Sequence, residues 1–285
     1  MPTSIHIVNT DVADIPVRRM DFTFDADIAH LWFGGDAFRT ALLSALSCTF
    51  PEGERMFMRA VRHFQEGVTS PELLLRIRAF IGQEANHGKE HESFNAFLAS
   101  KGLPTAAIEA FVRQGIAKEE SWLSPARMLA KTCALEHFTA LFAERVLSHP
   151  ELLADMDERL RPLWLWHAIE ESEHKSVAFD VYQDQVGSYW IRCSEMLFTT
   201  LLFTFFTTLH TRQVLASLPA QAPGRGWRHG LQSLLGKKGF LRGMLPRYLD
   251  YFRPGFHPQQ HDTSDLRARG LAMLAAEPSR QRAAA

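Results

Sequence analysis

Apolar residues recur every three to four positions along most of the chain, the spacing of one face of an α-helix. This period predicts helices over about 36–65, 71–101, 105–120, 124–149, 151–186 and 190–217, followed by short helices and loops. Strand-like alternation is confined to the stretch SIHIVN near the N-terminus. The pattern therefore predicts an all-α protein.

Proline, glycine and serine residues mark the predicted boundaries. Ser70 precedes Pro71 as an N-cap, Gly102 ends the same helix, and Pro51 disturbs the first one. A Pro- and Gly-rich linker occupies 219–226. These signals predict an N-terminal arm at 1–35, a helical bundle at 36–217 and a C-terminal extension at 227–285.

Composition excludes several functional classes. The chain is 46% hydrophobic and 22% charged with a formal net charge of −1, so nothing indicates a nucleic-acid partner. Its cysteines, Cys48, Cys133 and Cys193, form no CxxC pair, which indicates a reducing compartment. The N-terminal residues lack the apolar run of a secretory signal. A cytoplasmic location is the resulting expectation.

Acidic and imidazole side chains interrupt four of the apolar helix faces. Two of these helices contain Glu-x-x-His, and each of the other two carries a single Glu among apolar neighbours. Buried charged groups are rare unless they are paired or bound to a metal. The residues concerned are Glu54, then Glu84 with His87, then Glu136, then His167 with Glu171 and His174.

This set predicts a site for two metal ions. Residues three apart lie about one turn apart on a helix, so a carboxylate and an imidazole can grip one ion. Four clustered carboxylates cannot all stay ionised alone, whereas two divalent cations would neutralise them. Oxygen-rich donors with a few imidazoles favour two iron ions, with manganese as an alternative and zinc less favoured. The competing interpretation is a set of solvated or salt-bridged faces.

The ligand order resembles that of the ferritin-like di-iron carboxylate proteins. His167 lies four residues before Glu171, and this additional histidine is similar to the seventh ligand of arylamine N-oxygenases. The resemblance implies a ferritin-like four-helix bundle with additional C-terminal helices. It also implies an enzyme that activates O2 to oxidise or oxygenate a small molecule, with an electron donor that the sequence does not identify.

A second resemblance covers most of the chain. The stretches FPEGERMF, EANHGKEH, ALEHFTA, EESEHKSVAFDVY and YFRPGFHP are similar to a bacterial family labelled predicted metal-dependent hydrolase. This resemblance implies a metal-dependent hydrolase that uses the same site. A non-enzymatic iron-binding protein is a further alternative.

Several polar residues beside these motifs have open roles. His91 shares the face of His87 and is a ligand, a supporting donor or a core histidine. Glu170 and Glu173 lie off the main face, where a solvated role is favoured; the alternative for Glu170, three residues after His167, is a partner that orients this histidine. His137 is predicted to point elsewhere, and Cys133 to be a core residue. The cluster of histidines and an aspartate at 257–262 is either an exposed loop, a further metal site or a cap.

The segment 196–216 is strongly apolar at its start, yet it is too short in uncharged residues to span a bilayer. A buried helix is the favoured interpretation, and peripheral membrane contact beside the basic segment 236–253 is the alternative. The apolar helix also favours a hydrophobic small-molecule substrate. A homodimer is left open.

Overall fold

Helices dominate the computed structural model, which describes the backbone of residues 6–7 and the chain from 15 to 277. The helices are α1 (Ala37–Gln65), α2 (Pro71–Ser100), α3 (Thr105–Trp122), α4 (Pro125–Ser148), α5 (Arg161–His174), α6 (Val177–Gln185), α7 (Tyr189–Ser217), α8 (Trp227–Leu235), α9 (Leu245–Asp250) and α10 (Ser264–Ala276). In the described ranges the only strands are β1 (His6–Ile7) and β2 (Arg18–Arg19), an antiparallel pair. The all-α prediction is confirmed.

The helix boundaries follow the signals in the sequence. Ser70 and Ser124 each accept a hydrogen bond from a backbone N–H of the first helical turn, and a proline occupies that turn in both helices. Gly102 follows the end of α2 with a φ of +84°, a conformation that glycine adopts without steric cost.

The single helix predicted over 151–186 is wrong. A 3-10 turn at Pro150–Leu152 and a loop precede α5, and Pro162 lies in the first turn of α5. Proline fits that turn but cannot continue a helix that arrives from the N-terminal side. A second interruption at Lys175 and Ser176 separates α5 from α6. The stretch WLWHAIEESEHKSVAFDVY therefore bends directly after His174.

Four helices surround the centre of the molecule. In this group α1 packs against α2 and α4, and α5 packs against the same two helices from the other side. Each of these helices begins in one hydrophobic cluster and ends in, or leads on into, a second. One cluster includes Phe94 and Trp166, and the other includes Phe57 and Phe80. The predicted ligands lie where the helices cross from one cluster to the other, which forms a polar layer inside an apolar bundle.

The apolar helix α7 packs against α1 and α4. Its inner face is buried at Met196 and Val214, whereas its outer face exposes Trp190, Leu201 and Phe205. The favoured interpretation of 196–216 as a buried helix is therefore wrong for its outer face. Within residues 15–277, no helix is both long enough and apolar enough to cross a bilayer. Peripheral membrane contact through 196–216 and a homodimer stay predictions.

The N-terminal arm contributes to the interior. Ile28 and Trp32 are buried in the same cluster as the start of α1. Arg18 of β2 is also buried, although it carries a permanent charge. The arm therefore supplies a charged group to the bundle, and its partners lie beside the polar layer.

Candidate metal centre

The structure brings all seven predicted ligands together in the polar layer. Glu54 lies on α1, Glu84 and His87 on α2, Glu136 on α4, and His167, Glu171 and His174 on α5. Every one is buried, and His167 is the most exposed at 6%. The solvated faces of the competing interpretation are therefore wrong for these residues, although some of them pair with one another, as His167 does with Glu171 at 3.0 Å.

Six of the seven side chains form two neighbouring groups of three. One group is Glu54, His87 and His167, and the other is Glu84, Glu171 and His174; within each, ligand-type atoms lie within 4.8 Å of one another. Glu136 faces the second group, with its Oε2 atom 3.5 Å from His174 Nε2. The Glu171/His174 motif thus stays in one group, whereas Glu84 and His87 contribute to different groups.

Most of the ligand-type atoms in this layer lack a hydrogen-bond partner. His174 Nε2 is 3.1 Å from Glu84 Oε1, but the two groups are not aligned for a hydrogen bond. Buried polar atoms without partners are rare and costly in folded proteins. A pair of divalent cations would satisfy this donor set, so the residues fit a two-metal site. The atoms are both carboxylate oxygens of Glu54, Glu84 and Glu136, with His87 Nδ1, Glu171 Oε2 and His174 Nε2.

The crowding of carboxylates changes their protonation. Burial, and then the charge of Glu171 and other nearby carboxylates, raises the pKa of Glu54, Glu84 and Glu136 well above the ordinary value. Burial also raises the pKa of Glu171, but His174 and His167 outweigh it and hold that pKa well below the usual range. The raised pKa values favour the protonated forms of these three carboxyls, and divalent cations would displace those protons on binding.

Glu170 supports His87 from behind. Its Oε2 atom lies 3.1 Å from His87 Nε2, and its Oε1 atom accepts a hydrogen bond from Arg18 at 3.1 Å. Burial, partly offset by the charge of Arg18, raises the pKa of Glu170 to about 8. The favoured solvated role for Glu170 is wrong, because the residue is fully buried. When ionised, it accepts the Nε2 proton and leaves His87 Nδ1 free for a metal.

Arg18 also reaches His174 through two further residues. It forms a two-pronged ion pair with Glu173, with both N···O distances 2.7 Å. Gln83 donates to Glu173 at 2.9 Å, and its side-chain oxygen accepts from His174 Nδ1 at 2.9 Å. The side chain of Glu173 is only 5% exposed, so its predicted solvated role is also wrong.

His91 belongs to neither ligand group. Its Nε2 atom lies 2.8 Å from His167 Nδ1, and its Nδ1 atom lies 2.8 Å from the hydroxyl of Ser47. His167 Nε2 in turn lies 3.0 Å from Glu171 Oε1. Because the Ser47 hydroxyl donates to Asn95, it accepts from His91 Nδ1, and His91 Nε2 in turn accepts from His167 Nδ1. Among the roles left open by the sequence, His91 is therefore a supporting residue that orients His167, as an acceptor rather than the donor that was expected.

Pro51 explains why Asn95 joins this network. Proline has no N–H, so the carbonyl of Ser47, four residues earlier, lacks its usual helical partner. The Asn95 side chain donates to that carbonyl at 3.2 Å, and its oxygen accepts from the Ser47 hydroxyl at 2.7 Å. Helix α1 consequently passes through Pro51 without ending and delivers Glu54 to the centre.

Gly88 provides space beside Glu54. A Cβ atom at this position would lie 3.3 Å from Glu54 Oε2 and 3.9 Å from the Pro51 Cα atom. The glycine directly after His87 thus allows α1 and α2 to approach closely at the carboxylate. The sequence contains the signal, a glycine inside a long helix, but the partner helix is visible only in the structure.

The other candidate residues lie outside both ligand groups. His137 is buried and packs against the Tyr251 ring at a tilt of 45°, and Cys133 is a buried core residue. His257 lies 2.7 Å from Asp180, and His261 lies 3.0 Å from Asp250. Over residues 15–277, the 257–262 cluster therefore forms ion-pair contacts and contributes to no further group of metal-ligand type.

Two apolar cavities reach the centre from one side. The first has a volume of about 580 Å³ and lies among α1, α3, α4 and α7, where Phe57, Phe138 and Phe203 line it. The second has a volume of about 410 Å³ and includes Phe38 and Leu42. Both touch His167 and Glu171, whereas Glu84, Glu136 and His174 line neither cavity.

Comparison with known proteins gives one match. The sequence profile of a family described as "Predicted metal-dependent hydrolase" matches residues 16–262, which includes all seven candidate ligands. No curated protein matches the chain, and no solved structure matches it.

Proposed function

The chain belongs to the family of predicted metal-dependent hydrolases, and from this premise we propose that it is a two-metal enzyme acting on an apolar organic molecule. One observation carries the proposal: the layer of unpartnered ligand-type atoms borders the apolar cavities through Glu54, which lines the first, and Glu171, which lines both. An apolar cavity with a few convergent polar groups is the usual form of a small-molecule site.

The side chains divide into two sets of ligands. Glu54, His87 and His167 would hold one ion, and Glu84, Glu171 and His174 the other. Glu136 adds a carboxylate beside the second set. Oxygen-rich donors combined with imidazole favour two iron ions, with manganese as the alternative and zinc less favoured.

Oxygen activation is the chemistry that the surroundings favour. Bound iron would supply redox chemistry with O2, and an external electron donor would be needed for turnover. Phe50, Phe57 and Phe138 line the cavity beside the ligands, and a bound apolar substrate there would exclude water. Arg18, through Glu170 and Glu173, keeps the imidazoles of His87 and His174 oriented. Exclusion of water protects reactive species from side reactions.

Hydrolysis is the second candidate, because the family description names it. In that case the ions would lower the pKa of a bound water and polarise the substrate. The same seven ligands would serve, and Thr139, which lines both cavities, offers a hydroxyl near the reacting group.

Metal analysis followed by two activity assays tests the proposal. Protein expressed without added metal should contain about two iron ions per chain, and Glu84→Ala should lose most of them. The matched control is Glu195→Gln, a buried carboxylate paired with Arg127 outside the centre. O2 consumption that depends on an apolar substrate supports the oxidative chemistry. Zinc content with ester or phosphoester cleavage supports hydrolysis, and a metal-free protein overturns both.

His167 gives a finer test of the oxidative chemistry. His167→Ala should leave the fold intact, lower metal occupancy and change the optical spectrum after exposure of the iron-loaded protein to O2. His167 lines both cavities, so a ligand at this position would lie beside the reacting group. An unchanged spectrum would show that His167 is not a metal ligand.

A further inference from the structure

The two cavities meet at the metal ligands rather than lying one behind the other. Both are lined by His167 and Glu171, and the other residues that they share are Phe50, Thr139 and Phe142. The Phe142 ring lies 6.2 Å from Phe203 of the first cavity and 5.5 Å from Phe240 of the second. An aromatic partition with the metal ligands beside it therefore separates two apolar arms.

The walls of both arms indicate a long apolar guest. A methylene group occupies about as much space as a water molecule, roughly 30 Å³. On that scale the cavities of about 580 and 410 Å³ would hold at most about 19 and 14 methylene groups. Two charged pairs along the walls, Lys131 with Glu119 and Arg39 with Asp155, are already ion-paired. The other Lys and Glu side chains in the walls outside the ligand groups, Lys118 in the first cavity and Glu151 and Lys238 in the second, are exposed to solvent. The walls thus favour hydrocarbon over charged guests in both arms.

We propose that the substrate is an extended apolar chain that places one arm in each cavity. It would cross the partition between Phe50 and Phe142 and present an internal position, not an end, to the ions held beside His167 and Glu171. This inference rests on the proposed function, because it assigns the reacting position of the same site. A guest confined to one cavity would instead present a chain end.

Binding of two neutral alcohols to the metal-loaded full chain tests the arrangement. Hexadecan-1-ol should bind once per chain, and hexan-1-ol twice, once in each arm. Leu42→Trp narrows only the second cavity, and Thr207→Trp narrows only the first. Leu249→Trp, at an exposed site lining neither cavity, is the matched control. Calorimetric titration gives affinity and stoichiometry, and circular dichroism checks that each variant folds.

Each narrowing variant should weaken hexadecan-1-ol binding at least tenfold, since displacing two buried methylene groups has about that effect. Each should also remove one of the two hexan-1-ol sites and leave the other unchanged. Weakening of hexadecan-1-ol binding by only one variant, or by neither, would overturn the inference. Two-armed binding to a chain that takes up no metal would overturn the proposed function alone. Two metals with one-armed binding would overturn the inference alone.

Discussion

Arg18 is the residue whose replacement should affect the centre most strongly without touching a ligand. Its guanidinium group pairs with Glu170 and Glu173, and all three side chains are at most 5% exposed. Arg18→Met retains much of the length of the side chain and removes its charge. The buried carboxylate of Glu173 would then lose its ion pair with the Arg18 guanidinium group.

The expected cost follows from that burial. Removing one partner of a buried ion pair costs about 3–5 kcal/mol, because the other charge remains uncompensated. For a chain of this size we expect the midpoint of thermal unfolding to fall by about 5–10 °C. His87 and His174 would lose the groups that orient them, so metal affinity should fall about 10- to 100-fold.

Calorimetry and a competitive metal titration measure the two effects. Arg19→Met is the control, because Arg19 is the next residue of β2 and is exposed. Adding Glu173→Gln to Arg18→Met should recover part of the lost stability, since the uncompensated charge is then removed as well. Equal midpoints for Arg18→Met and Arg19→Met would refute the reasoning, and so would strictly additive losses in the double variant.

Three further outcomes can be measured. Gly88→Ala should lower metal content at least severalfold, because the new Cβ atom would lie 3.3 Å from Glu54 Oε2. The same change should favour the helix by up to about 1 kcal/mol, because alanine has the higher helix propensity. Unchanged metal content would contradict the prediction, and Gly115→Ala, at an open position on α3, is the control. Metal-free protein should lose stability from pH 7 to 8, since burial raises the pKa of folded Glu170 to about 8 and the unfolded chain has already released that proton. Each such carboxyl should lower the free energy of unfolding by about 1 kcal/mol per pH unit, which urea titrations measure. A rise in the free energy of unfolding over this range would contradict the prediction. His91→Phe should retain most of the metal yet shift the pH profile of turnover, because it removes the hydrogen-bond partner of His167 Nδ1. An identical pH profile would show that His91 does not orient His167.

Local periodicity explains what the sequence could predict. Helix ends at Ser70 and Ser124 depend on residues next to them, and the Glu-x-x-His spacing depends on one turn of helix. The seven candidate ligands are therefore recognisable as polar residues on apolar faces. What the spacing could not predict is that Glu84 and His87 contribute to different groups, because the relative rotation of four helices decides it.

Long-range partners account for the remaining differences. Arg18 lies 152 residues from Glu170 in the sequence and belongs to an irregular arm without a periodic pattern. Glu170 was expected to be solvated because it lies off the ligand face of α5. However, α5 is buried on every side from Leu165 to Ser172, so no face of this segment reaches water. Amphipathic reasoning applies only to a helix that has a solvent-exposed side.

The proline in α1 has a consequence for how the bundle chooses its alignment. Apolar side chains along two long helices allow several sliding positions of similar energy, because hydrophobic contact has no direction. The Ser47 carbonyl that Pro51 leaves open is one fixed point on α1, and Asn95 of α2 bonds to it. A single buried amide is known to select one register among helices. Pro51 and Asn95 thus fix the register of α1 against α2, and with it the relative positions of Glu54 and His87 along the bundle axis.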